Sequence, residues 1–160
     1  MRLVIGAVGR MKAGPETVLL ERYCDRARKA GKAVGIAELA VREIAESRAQ
    51  KAAQRRDEEA AGLVASLAPD ALIVCLDEHG RDQPSEKLAR MIEQRLGDAT
   101  PEIAFLIGGP DGHGKAVRER AAMTLAFGAA TWPHQLVRVM LAEQLYRAVT
   151  ILSGHPYHRD

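Results

Sequence analysis

Residues 103–109 read IAFLIGG, a continuous apolar run that ends in a pair of glycines. Two similar runs flank it along the chain, ALIVCL at residues 71–76 and MTLAF at residues 123–127. Unbroken apolar runs are typical of strands that are buried on both faces, as in a parallel sheet. Helical spacing between the runs, at residues 85–96 and 115–122, completes a βαβαβ pattern. We therefore predict an α/β fold in which helices flank a parallel sheet.

The rest of the chain continues this alternation of strands and helices. The predicted elements are a strand over 2–9, a helix over 15–32, a strand over 34–41, an Ala-rich helix over 45–67 and a long helix over 134–152. The last helix has a wide apolar stripe and the i,i+4 pair Glu143 and Arg147. Because no repeat or linker divides the chain, we expect a single domain over residues 1–160.

The composition is that of a globular chain with little net charge. Of the 160 residues, 47% are hydrophobic and 28% are charged, and the net charge at pH 7 is +2. A protein that bound nucleic acid by bulk charge alone would be more basic, so any RNA contact must rest on local patches. Aromatic residues make up only 4%, which disfavours a sheet that stacks single-stranded bases. A chain of this length has little surface for a cofactor and a large substrate in addition to its own fold, so we expect an oligomer.

Cysteine usage and hydropathy bear on the cellular compartment. Neither Cys24 nor Cys75 belongs to a CxxC pair or a Cys/His cluster, so we expect no metal. Cys75 lies inside an apolar run and is predicted to be a buried thiol. No stretch approaches the ~20 apolar residues of a membrane span, and the N-terminus carries no cleavage signature. We expect a cytoplasmic protein with no membrane partner.

Two loops of small residues follow the second and third apolar runs. The first, GGPDGHGK at 108–115, contains the GxxxxGK start of a phosphate-binding loop, but Ala116 replaces the Ser or Thr that contacts Mg²⁺. Pro110 also lacks the backbone N–H that a phosphate cradle would use. The remaining alternatives are a glycine turn without a ligand and a loop whose backbone closely approaches one. The second loop, GAATWP at 128–133, leads into the last helix and either permits tight packing or holds a ligand.

The ends of these three runs predict one ligand site. In parallel sheets, ligands bind outside the carboxyl ends of the strands. Those ends fall at residues 76–77, 108–112 and 128–133. We expect the three segments to lie together.

The chain ends in SGHPYHRD at residues 153–160. Pro156 stands between His155 and His158, so a helical metal-binding pair is not expected. The segment is either a frayed end or a hydrogen-bonding arm for RNA. Four of the six aromatic residues lie between Phe127 and the end of the chain, which favours the arm.

Three motifs resemble those of the bacterial ribosomal RNA large subunit methyltransferase H family, in the SPOUT superfamily. They are LIGGPDG at 106–112, WPHQLVRVMLAEQLYRA at 132–148 and HPYHR at 155–159. The resemblance covers essentially the whole chain and implies a C-terminal trefoil knot, a homodimer and S-adenosyl-L-methionine as methyl donor. It also implies that the acceptor is N3 of a pseudouridine in helix 69 of 23S rRNA, within the assembled 70S ribosome.

The resemblance also assigns site residues. Carried over by position, the cofactor contacts are Leu76, Gly109, Gly128, Ala129, Ala130, Thr131, Trp132 and Pro133. For the substrate side, as catalytic residues, we expect Arg138, His155, Tyr157, His158 and Arg159. In the dimer, the tail of one subunit would reach the cofactor of the other. His113 and Trp132 depart from the family pattern and bear on the shape of the pocket, and a bulky residue at position 109 is expected to occlude it.

Two other functions remain as alternatives. A non-catalytic ribosome-binding factor would not need intact glycine loops, and a SPOUT enzyme for transfer RNA would be expected to carry an appended RNA-binding domain. Separately, a set of basic residues forms either a phosphate-contacting surface or a solvated helical face. These are Arg26, Arg28, Lys29, Lys32, Arg55 and Arg56.

Overall fold

The computed structural model describes residues 1–158 and contains a five-stranded, wholly parallel sheet with strand order β2-β1-β4-β3-β5. The elements are β1 (Arg2–Val8), α1 (Pro15–Gly31), β2 (Glu38–Ile44), α2 (Ala52–Ala65), β3 (Leu72–Asp82), α3 (Ser85–Gly97), β4 (Glu102–Ile107), α4 (Lys115–Arg120), β5 (Ala121–Ala126) and α5 (His134–Leu152). A short 3-10 turn, Lys32–Val34, follows α1. The predicted α/β fold with a parallel sheet is confirmed.

Different helices cover the two faces of the sheet. Helices α1, α3 and α5 pack on the face that carries Leu3, Ile5 and Phe105. Helices α2 and α4 pack on the opposite face, against Val4 and Leu106. All six residues of β4 are buried, because this strand has a neighbour on each side and helices above and below. The continuous run at 103–107 therefore belongs to the centre of the sheet, as such runs predict.

Several predicted boundaries differ from the structure, and the largest difference is at the end of β3, which continues past Leu76 to Asp82 with a register shift against β5. Strand β2 begins at Glu38 rather than at residue 34, because the 3-10 turn ends at Gly35 with φ +86°. Helix α2 begins at Ala52 rather than at residue 45, and the backbone N–H of Ser47 instead donates to the Glu59 carboxylate at 2.9 Å. The third apolar run is predicted to be buried on both faces, but it lies in edge strand β5, which begins at Ala121 and is partly exposed because it has a neighbouring strand on one side only.

Both cysteines are buried, as predicted for Cys75. Burial raises the pKa of Cys75 to about 12 and that of Cys24 to about 11, so both thiols stay protonated at neutral pH. Within residues 1–158, no helix combines the length and the apolar character needed to cross a membrane.

Glu102 is a fully buried carboxylate at the amino end of the sheet. One oxygen accepts a hydrogen bond from the backbone N–H of Ala68 at 2.9 Å, and the other lies 3.2 Å from Arg2 and 3.7 Å from Arg42. Removing one partner of such a group leaves the others unpaired, which costs about 2–3 kcal/mol.

We therefore expect Glu102→Ala to lower the free energy of unfolding by about 2–3 kcal/mol, measured by urea denaturation. The control is Glu93→Ala on the exposed surface of α3, which should change stability by less than ~0.5 kcal/mol. Equal stability of the two variants would show that the buried cluster contributes nothing.

Candidate active site

A cleft of about 400 Å³ lies at the carboxyl ends of β4 and β5 and beside residues 76–79 of β3. Six of the eight predicted cofactor residues line it, namely Leu76, Gly109, Gly128, Ala130, Thr131 and Trp132. The other two, Ala129 and Pro133, are exposed in the same segment but do not line the cleft. The structure thus brings the three predicted strand ends together, at the edge of the sheet where parallel α/β folds bind ligands.

The loop after β4 forms a tight backbone turn against the cleft. Gly109 and Gly112 form an isolated antiparallel bridge, in which the Gly112 N–H donates to the Gly109 carbonyl at 2.9 Å. Gly112 has φ +83°, a conformation that L side chains rarely adopt. A Cβ atom on Gly108 would lie 2.9 Å from the Gly112 carbonyl carbon. These glycines are therefore required by the turn, which places backbone rather than side chains along this wall.

Hydrogen bonds and close packing attach this turn to helix α2. The Arg55 guanidinium donates to the Asp111 carboxylate at 2.7 Å, and the backbone N–H of Lys115 donates to Asp57 at 3.3 Å. Gly114 packs so closely that a Cβ atom there would overlap the carbonyl oxygen of Arg56. The hydrogen bond from Arg55 lowers the pKa of Asp111 below its usual value, so the ion pair persists at neutral pH and is lost only in acid.

Acidic residues lie on the β3 side of the cleft. Asp77 accepts a hydrogen bond from the backbone N–H of His79 at 2.9 Å, and its carboxylate lies 3.1 Å from the His79 ring nitrogen. Burial raises the pKa of Asp77, but the hydrogen bonds from His79 outweigh burial and the net pKa is lowered. Glu78 accepts a hydrogen bond from the Thr131 hydroxyl at 2.6 Å, which ties β3 to the segment after β5.

His113 and Trp132, the two departures from the family pattern, both shape the cleft wall. His113 is buried, and its Nε2 lies 2.9 Å from the carbonyl oxygen of Leu76. Because burial lowers the pKa of His113, the ring is neutral at pH 7 and donates from Nε2–H. The Trp132 indole N–H donates to the Phe127 carbonyl at 3.0 Å, while the ring stays partly exposed at the cleft.

Arg138 lies away from the cleft in a single protomer. Its side chain is only 3% exposed and donates to the carbonyl oxygens of Val8 and Gly9 at 2.7 and 2.9 Å. It also pairs with Glu43 at 2.6 Å. Arg138 therefore attaches α5 to the carboxyl end of β1, and its expected role toward the substrate stays a prediction.

Tyr157 folds back onto α5. Its hydroxyl donates to the Glu143 carboxylate at 3.0 Å, and its ring centre lies 4.6 Å from that of Tyr146. The Arg147 guanidinium lies over the ring at 4.9 Å. Burial, with hydrogen bonds to Tyr23 and Glu143, raises the pKa of Tyr157, so the phenol stays protonated at neutral pH.

The two histidines of the tail also make contacts within their own protomer. His158 Nε2 lies 2.7 Å from the Glu86 carboxylate at the start of α3. His155 is exposed, and its Nδ1 accepts a hydrogen bond from the Tyr157 N–H at 3.2 Å. Neither histidine nor Tyr157 lines the cleft of its own protomer. Arg159 lies outside the described residues.

Several residues of the cleft were missed by sequence reasoning, and the polar ones among them are Glu78, His79, Arg118 and His134. Glu78 and His79 directly follow the predicted strand end, so a wider window there would have included them. Arg118 lies on α4 and has no sequence signal of its own, because its position depends on how α4 packs. No group of three or more His, Cys, Asp or Glu side chains within residues 1–158 is arranged to hold a metal ion.

Comparisons with known proteins agree with this architecture. A family model described as "Predicted SPOUT methyltransferase" matches residues 1–158. "Ribosomal RNA large subunit methyltransferase H" of Chelativorans sp. (strain BNC1) is 53% identical over 160 residues, covering 100% of this chain and 92% of that protein. The protein of the same name from Xanthobacter autotrophicus is 55% identical over 160 residues, covering 99% of both chains.

A solved structure shares the fold at much lower sequence identity. The crystal structure of a probable methyltransferase from Bordetella pertussis Tohama I has a TM-score of 0.51 and 16% identity, covering 92% of this chain and 95% of that one. The fold, the full-length family match and the close relatives all agree. The chain belongs to the SPOUT methyltransferase family, among the ribosomal RNA large subunit methyltransferase H proteins.

Proposed function

We propose that this chain uses S-adenosyl-L-methionine to methylate N3 of a pseudouridine in helix 69 of 23S rRNA. Its substrate is the assembled 70S ribosome in the cytoplasm. The observation that carries the proposal is the cleft beside residues 76–79 of β3 and the carboxyl ends of β4 and β5, in a chain of this family. The names of the close relatives state large-subunit ribosomal RNA as their substrate, and the finer target rests on the motif resemblance. We also propose a single domain over residues 1–160, a C-terminal trefoil knot and a homodimer.

The cleft fits the cofactor in size and in chemistry. Its volume of about 400 Å³ falls within the ~300–1,000 Å³ usual for small-ligand sites. Leu76, Ile107, Leu125 and Val137 supply apolar surface for a flat ring, beside the backbone of the two small-residue loops. The ionised Asp77 supplies a negative charge for a cationic sulfonium. When bound, S-adenosyl-L-methionine supplies an electrophilic methyl group.

The protein's own contribution is to position the acceptor and exclude water. The N3–H of a pseudouridine is a weak nucleophile until its proton leaves, so an adjacent hydrogen-bonding group is useful. Tyr157 is a donor in its docked position, because its phenol is protonated and bound to Glu143. We expect it to orient the nucleotide rather than to accept the proton. Correct alignment supplies much of the acceleration of such a transfer.

Dimerisation explains how the tail reaches a cofactor. Tyr157 and His158 lie on α5 and α3 of their own protomer and do not line its cleft. Helices α1 and α5 pack together and both begin at the carboxyl edge of the sheet, where Val18, Leu19 and Leu136 are exposed. Exposed apolar patches of this kind mark interaction surfaces. We propose that this patch joins two protomers, so that each tail completes the cleft of its partner.

The contact between Arg55 and Asp111 gives a test of the cofactor loop. We expect Arg55→Ala to weaken binding of S-adenosyl-L-methionine about threefold or more, because the turn after β4 loses its attachment to α2. Isothermal titration calorimetry measures this effect, with Arg90→Ala on the exposed surface of α3 as control. An unchanged dissociation constant for Arg55→Ala would mean that α2 does not shape the loop.

Methyl transfer to ribosomes tests the proposed function itself. Ribosomes from cells that lack the enzyme are incubated with the protein and S-adenosyl-L-methionine, and the RNA is then analysed by mass spectrometry. We expect one new methyl group, on a pseudouridine in helix 69 and at N3. Ribosome binding without transfer would identify a non-catalytic binding factor, and transfer to another nucleotide would reject the proposed target.

A further inference from the structure

Two arginines in the cofactor cleft make no hydrogen bond or ion pair to any of residues 1–158. Arg56 projects from α2 and Arg118 from α4, and both line the cleft. Arg56 is partly buried and Arg118 is exposed. We propose that they form a binding site for a phosphodiester group of the RNA substrate, at the mouth of the cleft. This inference rests on the proposed function.

Neighbouring arginines are already engaged by the protein. Arg55, adjacent to Arg56, is held by Asp111 and by two backbone carbonyl oxygens. Arg120, two residues after Arg118, donates to the carbonyl oxygen of Pro69 at 3.0 Å. On α1, Arg28 donates to the Leu39 carbonyl oxygen and to an aspartate. Arg56 and Arg118 differ from these arginines, because they have no hydrogen-bond or ion-pair partner within residues 1–158 and also line the cleft.

The backbone of Arg56 is closely packed against the start of α4. Gly114 packs directly against its carbonyl oxygen, and the nearby carboxylate of Asp111 is bonded to Arg55 rather than to Arg56. Arg118 is carried by α4, which begins immediately after the same glycine. The two side chains therefore extend from elements that meet at Gly114.

The distribution of charge in the cleft identifies the class of ligand. Carboxylates lie on β3, at Asp77 and Glu78, whereas the guanidinium groups of Arg56 and Arg118 come from α2 and α4. A sulfonium cation is attracted by the carboxylates and repelled by the arginines. Guanidinium groups bind phosphate oxygens through directed, charge-assisted hydrogen bonds. A nucleotide whose base enters the cleft would bring its own phosphodiester groups to this position.

Such a site also accounts for RNA binding by a chain with a net charge of only +2. Contacts to phosphate fix the position of a nucleic acid, while contacts to the base select the target. Arg56 and Arg118 would supply positive charge for such phosphate contacts next to the reacting base.

The experiment measures how the affinity for 70S ribosomes depends on salt, by co-sedimentation, for wild type and for the double variant Arg56→Gln/Arg118→Gln. We expect binding to weaken about tenfold or more, and the slope of log affinity against log salt to become shallower by roughly 1–2. The dissociation constant for S-adenosyl-L-methionine, measured in parallel, should change much less than the affinity for ribosomes. Arg56→Lys/Arg118→Lys should restore the slope, because it restores the charge, and Arg90→Gln on α3 is the control.

Two outcomes would overturn the assignment. A wild-type salt slope in the double variant would mean that the arginines do not contact RNA. Weaker cofactor binding with unchanged ribosome binding would assign them to the cofactor's carboxylate instead. Failure of the proposed function is distinguishable, because it appears as absent methyl transfer by the wild type, whereas the salt slope is measured on binding alone.

Discussion

Replacing Gly109 with valine is expected to abolish binding of S-adenosyl-L-methionine at concentrations that saturate the wild type. A Cβ atom at this position would lie 2.6 Å from a carboxylate oxygen of Glu59 and 3.2 Å from a methyl group of Val8. Both neighbours are buried, so neither can move away easily. Over-packing of this kind costs ~1–3 kcal/mol, and a loop displaced into the cleft should lose affinity by about 30-fold or more.

The structure corrects the reason for this effect. A side chain at position 109 points toward α2 and β1, not into the cleft, so it would not occlude the pocket directly. The turn after β4 would instead have to move away from Glu59. We therefore expect Glu59→Ala, added to Gly109→Val, to restore part of the cofactor affinity.

Calorimetry and thermal melting together measure the effect at position 109. The matched control is Gly97→Val at the end of α3, where an added Cβ atom meets nothing within 4 Å. We expect this control to bind the cofactor as the wild type does. Wild-type affinity in Gly109→Val would show that the loop after β4 does not form the cofactor site.

Deleting residues 155–160 is expected to lower methyl transfer to ribosomes by about 100-fold or more, as for loss of groups that assist proton transfer and alignment. Cofactor affinity should fall much less than methyl transfer, because the residues that line the cleft lie outside the deleted segment. The melting temperature should fall slightly, since Tyr157 packs on Tyr146. Single-turnover methylation and calorimetry give the two readouts.

Tyr157→Phe separates the chemical role of the tail from its packing. Phenylalanine keeps the ring contacts with Tyr146 and Arg147 but removes the hydrogen bond to Glu143. We expect slower methyl transfer with an unchanged melting temperature.

Full activity after deletion of residues 155–160 would exclude the tail from the reaction.

The buried strands and their common edge could be predicted from sequence, because a strand that is buried on both faces requires a continuous run of apolar residues. The runs at 71–76 and 103–107 lie in β3 and β4, and the small-residue loops after β4 and β5 meet in one cleft. Periodicity also located α5 within its observed bounds. These features depend on residues that are close together in the chain.

Features that depend on long-range contacts could not be predicted in this way. Arg138 bonds to Val8 and Gly9, 130 and 129 residues away in sequence, and nothing in the local pattern of α5 indicates this. The delayed start of α2 reflects the Ser47 hydrogen bond to Glu59. Arg118 enters the cleft only because α4 packs against the α2 side of the sheet.

Complementation between two inactive variants tests most directly the central claim that each active site combines the cleft of one protomer with the tail of the other. Gly109→Val keeps its tail and loses its cofactor site, whereas the chain without residues 155–160 keeps its cofactor site and loses its tail. The two chains, carrying different affinity tags, are co-expressed, and the heterodimer is isolated through both tags. We predict that the heterodimer methylates ribosomes although neither homodimer does, because it contains one complete composite site. An inactive heterodimer would contradict the account.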